Sequence, residues 1–438
     1  MTIVRPTVRP GAAQRLAALA EDALGGPLPV RLRAWDSSET GPENAPVVVV
    51  RSPRALRRLL WQPGELGLAR AYVTGELDME GDPALGLRAV WAAARDRGPY
   101  VRRPAFVGAA RAFGDVLRLG AVGPRLPAPV SEARLRGGLH SKARDRAAIS
   151  HHYDLSNDFY RLLLGETMAY SCGYWTGEEP EVGPADAQRA KLELICRKLG
   201  LVPGARLLDI GCGWGALTLY AAEEHHAQVT AVTLAREQAA YVRQQVRERG
   251  LEHRVEVVCQ DYRDVTGSAY DAVATIEMGE HVGDVEYPAF AAALHRLVRP
   301  RGRVLVQQMS RGAVAPGGGA FIEAYIAPDM HMRPMGETVV LLEAAGLEVR
   351  SVESLREHYA RTINAWHRTL EERWAEFVRL VGEETARVWR LYLIGGALAF
   401  EQRRMGVDQF LAVRPDPTGD SGLTKAETAG WYRHLDAR

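Results

Sequence analysis

LLDIGCGWGAL, residues Leu207–Leu217, decides how this chain folds. An apolar run of strand type ends at Asp209-Ile210. Gly211, Gly213 and Gly215 then fall within five residues, and a helical pattern begins. Glycines at a strand–helix turn let the backbone bend sharply and come close to a ligand. In open α/β sheets the first such turn is where nucleotides bind. The spacing is GxGxG and not the GxGxxG of dinucleotide sites, and no phosphate-binding run follows.

Outward from this turn the pattern is regular. AQVTAVTL, RVEVVCQD, YDAVATIEM, RGRVLVQQMS and LEVRSVESL read as strands, and amphipathic helices alternate with them. That alternation predicts an α/β fold with a doubly wound parallel sheet. From His358 to about Arg404 the pattern is helical. The strand ends supply candidate ligands at the carboxyl edge of the sheet. The second strand ends at Thr233-Leu234 with no acid for ribose hydroxyls, so Thr233 and Gln238 are the polar groups available there. Asp261, with Tyr262 beside it, is placed to accept from an adenine amino group. The fourth strand runs into Ile276-Glu277-Met278-Gly279-Glu280-His281.

The rest of the chain divides by texture. Residues 1–94 mix helical patterns (12–24, 53–60, 64–73) with the strand-like PVRLRAW and PVVVVRS, enough for a small α+β domain. Residues 95–146 carry twelve Lys/Arg against four acids, punctuated by Pro and Gly, and read as a basic linker with short helices. Residues 147–438 form the remaining domain. With 55 basic and 54 acidic residues the net charge of +1 points to no nucleic-acid partner, and aromatic residues are sparse in the linker. No run approaches the roughly eighteen apolar residues of a membrane span. Together with an N-terminus lacking a secretory apolar region, this predicts a cytoplasmic protein. Cys172, Cys196, Cys212 and Cys259 have no chelating spacing, and His151–His152 and His225–His226 are adjacent pairs, so no metal site is expected.

Taken in order, HYDLSNDFYRLLLGETMAYSCGYW (152–175), GCGWG, QDYRD, IEMGEHVG, FIEAYIAPD and HYARTINAW resemble the cyclopropane-fatty-acyl-phospholipid synthase family of class I S-adenosylmethionine (SAM)-dependent methyltransferases. LRAWDSSETGP and ELGLARAYVTGELDMEGD extend the resemblance into that family's N-terminal lipid-binding domain. The resemblance implies SAM as cofactor, contacted by Tyr170, Ser171, Asp209, Gly211, Gly213, Thr233, Leu234, Gln238, Asp261, Tyr262 and Glu277. It implies methyl transfer to the cis double bond of an unsaturated phospholipid acyl chain.

Such a double bond is a poor nucleophile with no proton to lose beforehand, so catalysis is mainly positioning. Attack leaves a carbocation, which the site must tolerate until a base removes a proton. Tyr170, Tyr174, Trp175 and Tyr325 are aromatic candidates for cation–π stabilisation. The resemblance implies bound bicarbonate as the base, cradled by Cys172, Glu280 and Tyr359, with Gln307 and Met309 at two further family positions. Two departures stand out. The family usually has histidine at Gln307 and a bulky residue at Gly279, and glutamine cannot change protonation near neutral pH.

FIEAYIAPDMHMRPMGET looks more like the actinobacterial branch that makes 10-methylene chains, which a flavin- or nicotinamide-dependent reductase converts to 10-methyl chains. The reading favours 10-methylene formation over a cyclopropane product. Anionic membrane contact through the linker, a position on the inner membrane face and a homodimer are further expectations. A small-molecule N-methyltransferase is opposed by Cys172, Glu280, Tyr359 and the N-terminal block. A non-catalytic lipid-binding protein is opposed by the intact Asp209–Gly215 turn.

Overall fold

The computed structural model describes residues 10–97, 106–133, 144, 155–267, 270–312, 317–433 and 435. The chain forms two compact units. The first comprises Met1–Glu132 and Gly382–Gly395, the second Ala133–Val381 and Gly396–Arg438.

In the first unit, strands β1 (Arg31–Ala34), β2 (Glu39–Thr40), β3 (Val47–Val50) and β4 (Leu77–Glu80) form one sheet in the order β2-β1-β3-β4. β1 and β3 run parallel, with Leu32 opposite Val48, and both alternate half-buried and buried residues. The buried set packs on helix Ala12–Leu24 through Ala13, Leu16 and Ala17. Ser52 caps helix Pro53–Trp61 by accepting from the Arg54 N–H, and Pro53 occupies a first-turn position that needs no donor. Arg58 is buried and paired with Glu76 at 2.7 Å. By contrast Leu60, Trp61, Phe113 and Val122 are exposed and line a shallow apolar groove with Ala112 and Val116. Of the basic stretch 95–146, helix Phe106–Arg118 is described, while Arg102, Arg103, Arg134, Arg136, Lys142 and Arg146 lie outside the described residues.

The second unit is built on β5 (Arg206–Ile210), β6 (Gln228–Thr233), β7 (Val255–Cys259), β8 (Tyr270–Ile276), β9 (Val298–Ser310), β10 (Glu348–Ser354) and β11 (Gly406–Val413). Their order is β10-β11-β9-β8-β5-β6-β7. β5 to β9 are mutually parallel, and β11 lies antiparallel between β9 and β10. Sequence periodicity gives no strand beyond Arg404, so β11 is an addition to the expected sheet. Its sequence, GVDQFLAV, interrupts the apolar residues with Asp408 and Gln409, and seven of its eight residues are buried.

Successive residues of β5 face opposite sides. Leu207 packs with helices Pro184–Leu199, Ala216–Glu224 and Arg236–Glu248. Leu208 packs with helices Tyr287–Leu297 and Met335–Ala344. Both faces being covered explains why these strands read as apolar runs with no polar face. Helix Pro184–Leu199 starts with Pro184 in the first turn and the Gly183 N–H donating to Asp186. It ends at Gly200, whose φ of 65° suits glycine. β5 has β6 on one side and β8 on the other, so the chain reverses direction across the sheet beside it. The carboxyl ends of β5, β6, β7 and β8 open there. Among the described residues, no helix is long and apolar enough to cross a membrane.

Leu208 is fully buried in the central strand. Leu208→Ala is expected to lower stability by about 2–5 kcal/mol, the transfer and cavity cost of such a truncation. A urea midpoint unchanged from the native protein would contradict this packing.

Candidate active site

A cleft of about 180 Å³ lies at the carboxyl edge of the second unit's sheet. Its walls come from the strand ends. Asp209 to Trp214 span the end of β5 and the turn after it, Thr233 ends β6 and Leu234 follows it, Gln260, Tyr262 and Arg263 follow β7, and Glu277 and Met278 follow β8. Met168–Ser171 and Ala327–Asp329 close it from outside the sheet. The turn after β5 is held by the N–H groups of Gly211 and Cys212, which both donate to the Val232 carbonyl. Gly211, Gly213 and Gly215 have φ of 77°, 54° and 83°, the left-handed region. Nothing approaches within 4 Å of the place a Gly213 side chain would begin, so the backbone there faces open space.

Asp209 is buried at this turn. The Thr218 hydroxyl donates to its carboxylate at 2.7 Å. Loss of water pushes its pKa up to about 6, with the Thr218 bond and the Lys191 cation opposing. Lys191 is also buried and donates to the Ser171 hydroxyl at 2.8 Å. Burial brings its pKa down to about 8, against the pull of Glu277, Cys172 and Asp209. Thr233 donates to Gln238 at 2.8 Å, fixing two of the expected polar groups to one another. Tyr262 lies edge-on against Phe290. Tyr170 packs between Tyr160 and Trp366 at 5.9 and 5.4 Å.

A second polar cluster adjoins the cleft. Glu277 lies half-buried at the cleft wall, and its carboxylate is held by three donors. One oxygen accepts from the Cys172 backbone N–H at 2.8 Å and from Gln307 Nε2 at 2.9 Å. The other accepts from the Tyr359 hydroxyl at 2.6 Å. These three donors favour the anion, yet burial dominates and raises the Glu277 pKa. Gln307 is oriented from behind: Gln409 donates to its carbonyl oxygen at 3.0 Å, and Lys198 donates to Gln409 at 2.6 Å.

Glu280 is fully buried, and neither carboxylate oxygen has a partner with hydrogen-bond geometry. The backbone N–H groups of Glu280 and Met309 only partly offset its loss of water. Burial first, and then the Glu277 charge, push its pKa far up. The Cys172 thiol points elsewhere, to the carbonyls of Gly173 and Leu355, and burial keeps it neutral.

The sequence-derived residues thus separate into two sets. Tyr170, Ser171, Asp209, Gly211, Gly213, Thr233, Leu234, Gln238, Tyr262 and Glu277 all line the cleft. Cys172, Gln307 and Tyr359 converge on Glu277, and Met309 and Glu280 adjoin one another. Asp261 does not line the cleft; Arg263 engages its carboxylate at 2.7 and 2.8 Å. Of the four aromatic candidates only Tyr170 lines it. Tyr174 stacks on His358, Trp175 lies under Arg361, and Tyr325 packs on Phe321.

Gly279 has a local cause. A Cβ there would sit 1.9 Å from Gln308 Oε1, which accepts from the Tyr287 hydroxyl. Gln308 occupies the room that a bulky residue would take. Sequence reading missed Lys191 and Gln188, which donates to the Ser171 carbonyl. Their signal was available: both fall on the apolar face of helix Pro184–Leu199, with Ala187, Leu194 and Ile195.

A doubly wound sheet with one antiparallel strand set next to the last parallel one, and an acid–glycine turn opening into a cleft, defines a class I SAM-dependent methyltransferase. Residues 140–410 match the mycolic acid cyclopropane synthetase family, and the chain belongs to it. A probable fatty acid methyltransferase of Mycobacterium tuberculosis is 38% identical over 413 residues, covering 91% of this chain and 94% of that protein. A tuberculostearic acid methyltransferase of the same organism is 32% identical, covering 89% of each chain. Among solved structures, a mycolic acid cyclopropane synthase complexed with SAH and CTAB has a TM-score of 0.57 and 32% identity. It covers 61% of this chain and 97% of that one.

The cleft fits SAM: its glycine turn leaves backbone exposed, and Asp209, Thr233 and Gln238 supply polar groups along it. The second cluster does not fit bicarbonate, because the Cys172, Gln307 and Tyr359 donors are already bonded to Glu277.

Asp209 titrates at about 6 in the fold against an ordinary value of 3.8. Folding therefore favours its protonated form, an advantage fully present below 3.8 and lost as pH rises through 6. Asp209→Asn should gain stability over the native protein across that window, by up to about 3 kcal/mol. Urea unfolding at several pH values reads this; a difference that does not vary with pH would contradict it.

Proposed function

We propose that this chain transfers a carbon from SAM to the cis double bond of an unsaturated phospholipid acyl chain, giving a 10-methylene chain. One observation carries the reading. The SAM-type cleft adjoins a buried carboxylate cluster, where a hydrocarbon cation could lose its proton out of reach of water. The likeness to fatty acid methyltransferases along nine-tenths of the chain supports the substrate class.

When bound, SAM supplies an electrophilic methyl group. The chain's own residues do the rest. Gly211 and Gly213 give backbone access, while Asp209, Thr233 and Gln238 orient the cofactor with Ser171, Leu234 and Tyr262. Tyr170 presents an aromatic wall to the developing cation. The Glu277 cluster receives the proton that decides the product. Removal from the new methyl would close a cyclopropane. A prior hydride shift, with loss from the added carbon, gives the methylene. A separate flavin- or nicotinamide-dependent reductase would then saturate it.

The proposed position is peripheral, at an anionic membrane surface. The exposed Leu60, Trp61, Phe113 and Val122, and the basic residues of 95–146, the stretch that includes Phe113 and Val122, support this. Trp61→Asp with Phe113→Asp should weaken binding to phosphatidylglycerol vesicles, and added salt should weaken it for the native protein. Unchanged co-sedimentation of the double variant would remove this face from the reading.

The product assay uses labelled SAM and an oleoyl phospholipid, with mass spectrometry and proton NMR of the chains. Vinylidene protons are expected. Cyclopropyl protons alone would establish the cyclopropane reading in its place, and no labelled lipid at all would sink the substrate assignment.

A further inference from the structure

We propose that Glu277 is a built-in general base and that this protein needs no bicarbonate. The inference rests on the lipid-methylation reading above. A carboxylate and a bicarbonate each present two oxygens on a planar carbon. The three donors that could hold such an anion, the Cys172 N–H, Gln307 Nε2 and the Tyr359 hydroxyl, all close on Glu277 within 2.6–2.9 Å. The cradle therefore holds an anion that belongs to the chain, and a second anion would have to displace Glu277 from the Cys172 N–H and the Tyr359 hydroxyl.

Two further observations agree. First, Glu277 has φ of 53°, a left-handed conformation that a non-glycine residue adopts at a cost of order 1–3 kcal/mol. Its own N–H is fixed to the Gln307 carbonyl at 2.6 Å, so this backbone geometry is locked to the strand that carries a cradle donor. The strained backbone is what carries the side chain to the three donors. Second, the buried Lys191 cation acts on both Glu277 and Asp209, and the charge of Glu277 opposes ionisation of Glu280. Burial and the Glu277 charge push the Glu280 pKa far up, which lowers the competition between the two carboxyls for negative charge.

In the step itself, a C–H bond next to the cationic carbon breaks. Its electron pair becomes the new carbon–carbon bond, and its proton comes to rest on the Glu277 carboxyl. Because Glu277 lines the cleft, that proton leaves to water when product departs.

Glycine is the residue best suited to the backbone at 277, so Glu277→Gly relieves that conformation while emptying the cradle, and its urea midpoint is measured to show that the variant is folded. Activity on oleoyl phospholipid is measured in carbonate-free buffer under argon and again with added bicarbonate. The native protein should show the same kcat in both. Glu277→Gln should lose about 100-fold or more, the scale of a missing general base, with no recovery on adding bicarbonate. Glu277→Gly should lose a similar factor in carbonate-free buffer and regain at least about tenfold with bicarbonate. Independently of turnover, labelled ¹³C-bicarbonate should bind to Glu277→Gly and not to the native protein by NMR line broadening. Native activity that falls tenfold when carbonate is removed, bicarbonate binding to the native protein, or a fully active Glu277→Gln would each overturn the proposal. In all three cases the lipid reading stands. Absence of native activity on any lipid is the separate result that would remove that reading.

Discussion

A carboxylate taken out of water must find donors inside the protein or take up a proton, because an unpaired buried charge costs several kcal/mol. Glu277 and Glu280 show both solutions side by side. Glu277 gathers donors from three separate parts of the second unit: the segment after Tyr170, strand β9 and helix Arg356–Glu372. Glu280 finds none with good geometry, and its pKa is driven far up. The convergence on Glu277 also explains the polar relay behind it. Gln307 can present its amide N–H to Glu277 only if its carbonyl is satisfied elsewhere, and Gln409 does that, with Lys198 behind. A histidine at 307 would titrate in this position; glutamine keeps a fixed donor and a fixed acceptor.

The sheet is what allows such distant segments to meet. Strands β5 to β8 end at one edge, so side chains far apart in sequence share one cleft. β11 is part of the same arrangement. It pairs Gln409 directly with Gln307 on β9 and thereby supplies the support for the site. A strand added next to the last parallel one thus serves the chemistry through a cross-strand contact between two glutamines.

Much of this was legible in the sequence, for particular reasons. The parallel strands are buried on both faces and so announce themselves as apolar runs. The glycines after β5 mark a turn that other residues would strain. What periodicity could not give was which polar groups would pair. Glu277 reads as a strand-end cofactor ligand, and only the folded chain shows its carboxylate held by Cys172, Gln307 and Tyr359. Asp261 reads as a free acceptor, while Arg263 two residues later takes it up. Gly279 reads as a missing bulky side chain, and the volume it vacates belongs to Gln308 from a neighbouring strand. Each of these is a contact between side chains whose partner is set by geometry, which local patterns do not encode. β11 lay beyond the helical tail, where a single isolated apolar segment has no alternation around it to identify it.

The left-handed backbone at position 277 also has an evolutionary consequence. Glycine and glutamate codons of the GGA and GAA type differ by one base. At a position whose conformation favours glycine, that single change either installs an anion or removes it. On the general-base proposal, one base change would exchange a cradle that carries its own anion for one left open to an anion from solution.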